Sequence, residues 1–305
     1  MLRSMFAGVS GLRNHQLRMD VIGNNIANVN TTGYKMSRVT FQEMYSQTLR
    51  GASSPTANTG GTNPQQVGLG VSTASIDVVH EGGGAQSTDR ALDFYIEGEG
   101  FFTVRQGEQF FYTRAGNLYL DEKGFLVTAN GMYVQGVNLI PDTHLPTSPA
   151  LTPAEITALN QKTAVEFNAM DMTRIDENDL GRILIPSEGF TQFIVDQNGR
   201  IKGLDEHNDW IDLGQLTVAT YVNPEGLTSV GNSLYQISNN SGPPQYKAPG
   251  SGGSGEVIAG KLEMSNVDLS KEFTDMIITQ RGFQANSRVI TVSDTLLEEL
   301  INLKR

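Results

Sequence analysis

Large apolar residues recur along this chain at two different periods, and the change of period divides it. At the N-terminal end Met5, Leu12, Met19 and Ile26 stand seven residues apart, with Val9, Gln16 and Gly23 interleaved at the three/four spacing of one helix face. At the C-terminal end Leu269, Met276, Phe283, Ile290 and Leu297 repeat the spacing, interleaved with Phe273, Gln280, Ser287, Asp294 and Ile301. A stripe this narrow suits a helix that meets other helices along a seam better than one that rests on a broad core. The pattern predicts a helix over 3–27, closed by the turn and cap formers Asn28, Asn30, Thr31, Thr32 and Gly33, and a second starting near Asp268. Thr40 and Glu43 have capping-box spacing ahead of Met44 and Leu49, which predicts a short helix over 41–50.

From about 71 to 240 the period drops to two. Leu92, Phe94 and Ile96 alternate with Asp93, Tyr95 and Glu97; the GEG at 98–100, the DEKG at 121–124 and the ANG at 129–131 read as bends between strands, and Asn198-Gly199 as a hairpin. A helical interruption is predicted near 153–168, opened by Thr152 or Pro153. Gly, Ser, Asn and Pro crowd 51–70 and 238–256, the composition of extended connectors. The expected fold is α+β: long N- and C-terminal helices pairing as a coiled-coil-like layer, with a mainly β central body. Residues 1–35 and 267–305 then form one discontinuous helical assembly domain, 36–75 and 238–266 the connectors, and 76–237 the β body, with a small lobe at 140–190.

Composition narrows the chemistry. The chain has 305 residues and no cysteine, which removes disulfides and thiolate nucleophiles. Lys and Arg number 22 against 33 Asp and Glu, a net charge of -11 spread along the chain, so nucleic acid is not an expected partner. No run of apolar residues is long enough to span a membrane. The first fifteen residues are broken by Arg3, Ser4, Gly8, Ser10, Gly11 and Arg13, so no cleavable signal peptide is expected. His15, His80, His144 and His207 are scattered without metal-ligand spacing and read as surface residues. Ser10 lies in GVSGL, not in a GxSxG elbow, and reads as a small residue between helices. The acidic groups at 176–179 and 205–212 lack the loop pattern of a calcium site, and Trp210 beside the second reads as a packing residue. No catalytic residue, cofactor or metal follows.

The seam residues carry the functional expectation. Gln16, Gln280, Ser287 and Asp294 would be costly in a private dry core, yet they can fix register where several chains meet. The competing reading is an intramolecular two-helix hairpin capping the β body. The preferred self-assembly set is Met5, Val9, Leu12, Gln16, Met19 and Ile26 with Leu269, Phe273, Met276, Gln280, Phe283, Ser287, Ile290, Asp294, Leu297 and Ile301. From another class, an extracellular carbohydrate-binding or hydrolytic β protein is the alternative, and it would not need these ends.

The segment DVIGNNIANVNTTGYK, Asp20 to Lys35, resembles the signature that closes the first helix of the bacterial flagellar axial proteins, the rod and hook family. Asn24, Asn25, Asn28, Gly33 and Tyr34 carry the match, with Gly23 where rod members more often have Ala and Tyr34 in place of the commoner Phe. The likeness continues through GGTNPQQVGLGV at 60–71, LDFYIEGEGFFTV at 92–104, the 112–136 segment and the C-terminal helix; GGTNPQQVGLGV and the closing TLLEELINLKR are more similar to the hook subunit than to the distal rod subunit. This resemblance implies a non-enzymatic hook subunit that polymerises into a curved hollow tube transmitting torque from motor to filament, or alternatively a distal rod subunit. It also implies partners: further copies of itself in a helical homopolymer, rod and hook-filament junction proteins, a hook cap during assembly, and the flagellar type III export apparatus. The implied place is the bacterial flagellum, outside the cell surface for a hook and in the basal body for a rod.

Overall fold

Helix α1, Leu2–Ala27, closes where Asn28 donates its backbone N–H to the carbonyl of Asn24 at 3.1 Å and its side-chain amide to the same carbonyl at 2.9 Å. The computed structural model describes residues 2–56, 60–138, 175, 180–185, 190–205 and 210–303. Two compact units emerge. The first comprises Met1–Val29, Met36–Val79 and Val267–Arg305, and the second Asn30–Lys35 and His80–Asn266.

In the first unit α1 is accompanied by four strands, β1 (Ser37–Glu43), β2 (Ser46–Arg50), β3 (Gln65–Gly68) and β4 (Val71–Val78), and by helix α2 (Leu269–Asn302). The helix expected over 41–50 is absent. Val39, Thr40 and Phe41 are β-branched or aromatic, and β1 pairs antiparallel with β4 from Ser37↔Val78 to Glu43↔Val71 through a bulge at Thr40/Phe41. Glu43, spaced like a capping residue, instead accepts from Ser46 Oγ at 3.0 Å across the bend into β2. Residues 36–75, expected as a connector, hold two antiparallel pairs, since β2 and β3 join as a hairpin from Ser46↔Gly68. Helix α2 begins where the sequence places it: Asp268 is the N-cap, its carboxylate accepting from Ser270 N at 2.9 Å and Lys271 N at 3.4 Å.

The second unit is built on strands alone among the described residues, apart from a single 3-10 turn at Pro224–Gly226. Its strands are β5 (Ala85–Ser87), β6 (Phe94–Glu97), β7 (Phe101–Gln106), β8 (Gln109–Thr113), β9 (Leu118–Leu120), β10 (Leu126–Thr128), β11 (Tyr133–Asn138), β12 (Gly181–Arg182), β13 (Phe190–Val195), β14 (Arg200–Asp205) and β15 (Trp210–Leu216). The remainder are β16 (Val218–Thr220), β17 (Thr228–Gly231), β18 (Leu234–Gln236), β19 (Gln245–Lys247), β20 (Glu256–Ala259) and β21 (Lys261–Glu263). The main sheet runs β13-β14-β15-β11-β7-β8-β18-β17, with β6 paired to β20 and β5 to β21. All these pairings are antiparallel, and their inward residues Phe94, Phe102, Leu118, Leu126, Ile201 and Leu216 form the buried core.

Turn chemistry places the bends as expected. Asp121 Oδ1 accepts from Lys123 N at 2.9 Å and Phe125 N at 2.8 Å, closing the DEKG turn, and Asn198-Gly199 joins β13 to β14. The segment 238–266, expected as a connector, carries β19, β20 and β21. The helix expected near 153–168, nearly all of the lobe at 140–190, His144, His207 and the acidic residues Asp176, Glu177, Asp179, Glu206 and Asp209 lie outside the described residues. Trp210 is half exposed on β15.

Candidate functional site

Within the first unit α1 and α2 run antiparallel and close together. Arg18 pairs with Asp275 at 3.2 Å, and a Cβ built on Gly282, Gly11 or Gly8 would stand 2.7 Å from His15 Cε1, 2.7 Å from Asn286 Nδ2 and 3.4 Å from Ile290 Cγ1 respectively. The line of closest approach is therefore small and polar. Gly8, Gly11, Ile22 and Asn25 are buried on α1, and Glu272, Thr279 and Ser293 on α2. The two hydroxyls are satisfied within their own helix: Thr279 donates to the Asp275 carbonyl and Ser293 to that of Val289, each at 2.7 Å. Burial raises the pKa of Glu272, countered by a hydrogen bond from Asn25, and lowers that of His15, assisted by Arg18.

The expected self-assembly positions divide around this line. Met5, Leu12, Met19, Ile26, Met276, Phe283, Ser287, Ile290 and Leu297 are half-buried, whereas Val9, Gln16, Leu269, Phe273, Gln280, Asp294 and Ile301 are exposed. A seven-residue search weighted toward large side chains could not point to Gly8, Gly11, Gly282, Thr279 and Ser293. The sequence signal that could have found them is the recurrence of small residues at three and four spacings inside the stripe.

The opposite side of α1 is fastened by hydrogen bonds. Ser10 Oγ donates to the Ala7 carbonyl at 2.8 Å and accepts from Val71 N at 3.3 Å, so Ser10 meets a strand and not another helix. Asn14 donates to the Val71 carbonyl at 2.7 Å and accepts from Thr73 Oγ1 at 3.0 Å. Asn25, of the resemblance motif, treats β1 as a neighbouring strand would: its amide donates to the Ser37 carbonyl at 2.9 Å and accepts from Ser37 N at 3.0 Å. Asn24 and Asn28 hold the last turn together, Asn28 Nδ2 reaching Asn24 Oδ1 at 2.9 Å.

The remainder of that motif belongs to the second unit. Gly33 has a φ of 66° and donates to the Glu263 carbonyl at 2.8 Å. Tyr34 follows, half-buried, and then Lys35, whose ammonium is fully buried. Lys35 Nζ meets Glu263 Oε1 at 2.5 Å and the Glu81 carbonyl at 2.6 Å; Arg114 Nη1 stands 3.5 Å from Glu263 Oε2 and also donates to the Ile96 carbonyl at 3.2 Å, while Nη2 donates to that of Gly98 at 2.7 Å. Glu263 Oε1 accepts in addition from Gly83 N at 3.0 Å. One buried carboxylate thus faces two buried cations, and carbonyl dipoles disperse the excess positive charge. Burial drives the pKa of Lys35 and Arg114 down, and Glu263 opposes the shift in both. Lys35 and Glu263 are 228 positions apart and of types that usually remain solvated, so no local pattern could have paired them.

His80 borders the cluster, and its surface placement is corrected by the structure. It is packed edge-on between Phe101 and Tyr235, with ring centroids at 5.4 and 5.1 Å. Burial, and then the charges of Lys35 and Arg114, lower its pKa to about 4. In the unfolded chain His80 binds a proton near its ordinary pKa of about 6.5, whereas the folded unit resists protonation down to about 4. Stability of this unit is therefore complete above pH 6.5 and is lost as pH falls toward 4, by up to about 3 kcal/mol. Denaturant unfolding followed between pH 7 and 4 is expected to show this loss, and His80→Phe should remove most of the slope. An unchanged slope in that variant would assign the acid sensitivity elsewhere.

Among the described residues no group of three or more His, Asp or Glu could hold a metal ion, and no helix is long and apolar enough to cross a membrane.

Comparison with known proteins places names beside these two sites. Residues 5–35 match the family described as flagella basal body rod protein, 95–203 the flagellar hook protein FlgE/F/G D1 domain, and 258–303 the flagellar basal body rod FlgEFG protein C-terminal region. The chain is 43% identical to the flagellar basal-body rod protein FlgG of Bacillus subtilis over 306 aligned positions, covering all of both chains. To the flagellar hook protein FlgE of Borreliella burgdorferi it is 34% identical over 441 aligned positions, again covering all of both. A crystal structure of the Helicobacter pylori flagellar hook protein FlgE2 matches with a TM-score of 0.39 at 10% identity, covering 59% of this chain and 100% of that one.

Proposed function

Because this chain belongs to the bacterial flagellar rod and hook family of axial proteins, we propose that it polymerises through its terminal helices into an axial tube of the flagellum, as a rod subunit in first place and a hook subunit in second. The protein is a structural component of the flagellar basal body and hook class and is not an enzyme.

One observation carries the polymer reading. The helix pair leaves a large set of apolar side chains in solvent: Phe6, Phe273, Ile277, Ile278, Val292, Leu300 and Ile301 are all half exposed or more. Covering such a surface with further copies recovers roughly 25 cal/mol for each Å² of apolar area removed from water. A monomer cannot make that gain alone, and an open array of copies can. In this reading the helices form the coiled-coil-like layer that lines a channel. The subunit reaches its place through the type III export apparatus, with junction and cap proteins as neighbours.

Length favours the rod. Alignment to the Bacillus subtilis rod protein needs 306 positions for these 305 residues, while alignment to the Borreliella burgdorferi hook protein needs 441. The hook reading retains the likeness of GGTNPQQVGLGV and TLLEELINLKR noted above.

Leu12→Asp combined with Phe283→Asp places two charges in half-buried positions of the seam and is expected to give soluble monomer with the β unit still folded. Electron microscopy and sedimentation of the purified chain measure this, and normal tubes from that variant would refute the seam. Straight rigid tubes from the native chain favour the rod, and curved polymorphic ones the hook.

A further inference from the structure

The first unit presents two exposed apolar surfaces at its helical end, of opposite charge, that cannot meet within one copy. The first is the tip of α2. Along the pair Arg18 lies opposite Asp275, His15 opposite Gly282, Gly11 opposite Asn286 and Gly8 opposite Ile290. Continued at about 1.5 Å per residue in both helices, that register exhausts α1 level with about residue 296, so roughly the last two turns of α2 overhang. On the overhang Leu296, Leu300 and Leu303 are spaced four and three apart on one exposed face, with Glu299 among them and Glu298 beside it. From Val289 to Leu303 the only charged residues are Asp294, Glu298 and Glu299; Lys304 and Arg305 follow at the end.

The second surface is a groove of about 380 Å³ on the side of α1 turned from the line of glycines, lined by Phe6, Val9, Arg13, Met44, Leu69 and Val71. Phe6 is 70% exposed, and Val9, Met44 and Leu69 are also open to solvent. Arg3 and Arg13 are exposed and have no ion-pair partner among the described residues, and α1 carries no acidic residue before Asp20. In register terms the groove lies level with α2 residues of about 284–291, so a copy's own tip points away from it.

We propose that the α2 tip of one copy seats in the α1 groove of a second copy, with Leu296, Leu300 and Leu303 against Phe6, Val9 and Met44, and Glu298 and Glu299 against Arg13. This rests on the polymer reading above and names the contact that propagates it. Two different surfaces meet, so the contact is heterologous and does not close on itself. The neighbouring helix pairs are staggered along their axes by roughly 18 Å, twelve residues at the helical rise.

The absence of cysteine from the full chain gives the test a clean probe. Val9→Cys and Leu300→Cys chains, mixed, polymerised and oxidised, are expected to yield disulfide-linked dimers, while Leu300→Cys alone yields none, because bridging needs Cα atoms within about 7 Å. Arg13→Glu or Glu299→Arg alone should raise the critical concentration for assembly about tenfold or more, and the two in one chain should bring it back to within about threefold of native. Unfolding followed at Trp210 checks that the β unit is intact in every variant. Native polymer without the mixed cross-link, or single reversals that assemble at the native concentration, overturns the docking and leaves polymerisation standing. A native chain that never polymerises overturns both.

Discussion

Glu263→Gln is expected to cost the second unit about 3–5 kcal/mol. Among the described residues this carboxylate alone ion-pairs with both Lys35, at 2.5 Å, and Arg114, at 3.5 Å, and all three side chains are out of water. Removing its charge leaves two buried cations faced by the carbonyls of Glu81, Ile96 and Gly98, which carry dipoles and no full negative charge. Lys35→Met removes the opposite sign and has a different outcome. Arg114 still faces Glu263, the cluster becomes neutral, and Gly83 N still donates to Glu263 Oε1. That variant should cost about 1–3 kcal/mol, set by the hydrogen bonds it leaves unmade. The chain has a single tryptophan, Trp210 on β15, so urea unfolding followed by its fluorescence reports on this unit alone. Equal losses in the two variants would mean that the excess positive charge is not what Glu263 restrains.

What the sequence discloses and what it hides follow the range of the interactions involved. The ends of α1 and α2 are written locally: Asn24 and Asn28 close one, Asp268 opens the other, and each acts within four residues. The bends at Asp121 and at Asn198-Gly199 are equally local, so they fall where expected. Residues 41–50 mislead because Thr40 and Glu43 satisfy the spacing of a helix start, while the strand is decided by a partner, β4, some thirty positions on. The seam is half legible. Its existence follows from the seven-residue recurrence, but the residues nearest the partner helix are Gly8, Gly11, Gly282 and Thr279, which a hydrophobic pattern passes over. The Lys35, Glu263 and Arg114 cluster leaves no trace at all, since three charged residues on separate segments look solvated until the fold brings them together. The motif that signals the family is legible as a string, yet its reason lies in the fold. Asn25 is there to pair with Ser37 in one unit, and Gly33 and Lys35 to pair with Glu263 in the other.

Gly33→Ala tests that last point at the backbone. Gly33 has a left-handed φ of 66°, which costs a residue with a Cβ about 1–2 kcal/mol. The added carbon would also stand 2.6 Å from Ala115 N, 2.8 Å from Arg114 C and 2.9 Å from Ala115 Cα, all main-chain atoms that cannot swing aside. Relieving this means drawing the 30–35 segment off Ala115, which lengthens the 2.8 Å bond from Gly33 N to the Glu263 carbonyl. Strain and crowding together are expected to cost about 3–4 kcal/mol in the Trp210-monitored unfolding. Gly33→Asn separates the two causes, because Asn tolerates the left-handed region but still carries a Cβ. It should recover about 1 kcal/mol and no more, and full recovery would show that φ alone matters. Since the Glu263 carbonyl holds Gly33 while its carboxylate holds Lys35, Gly33→Ala and Glu263→Gln loosen the same segment. Their combined loss should fall short of the sum by about 1 kcal/mol or more, whereas strict additivity would mean that the two contacts act independently.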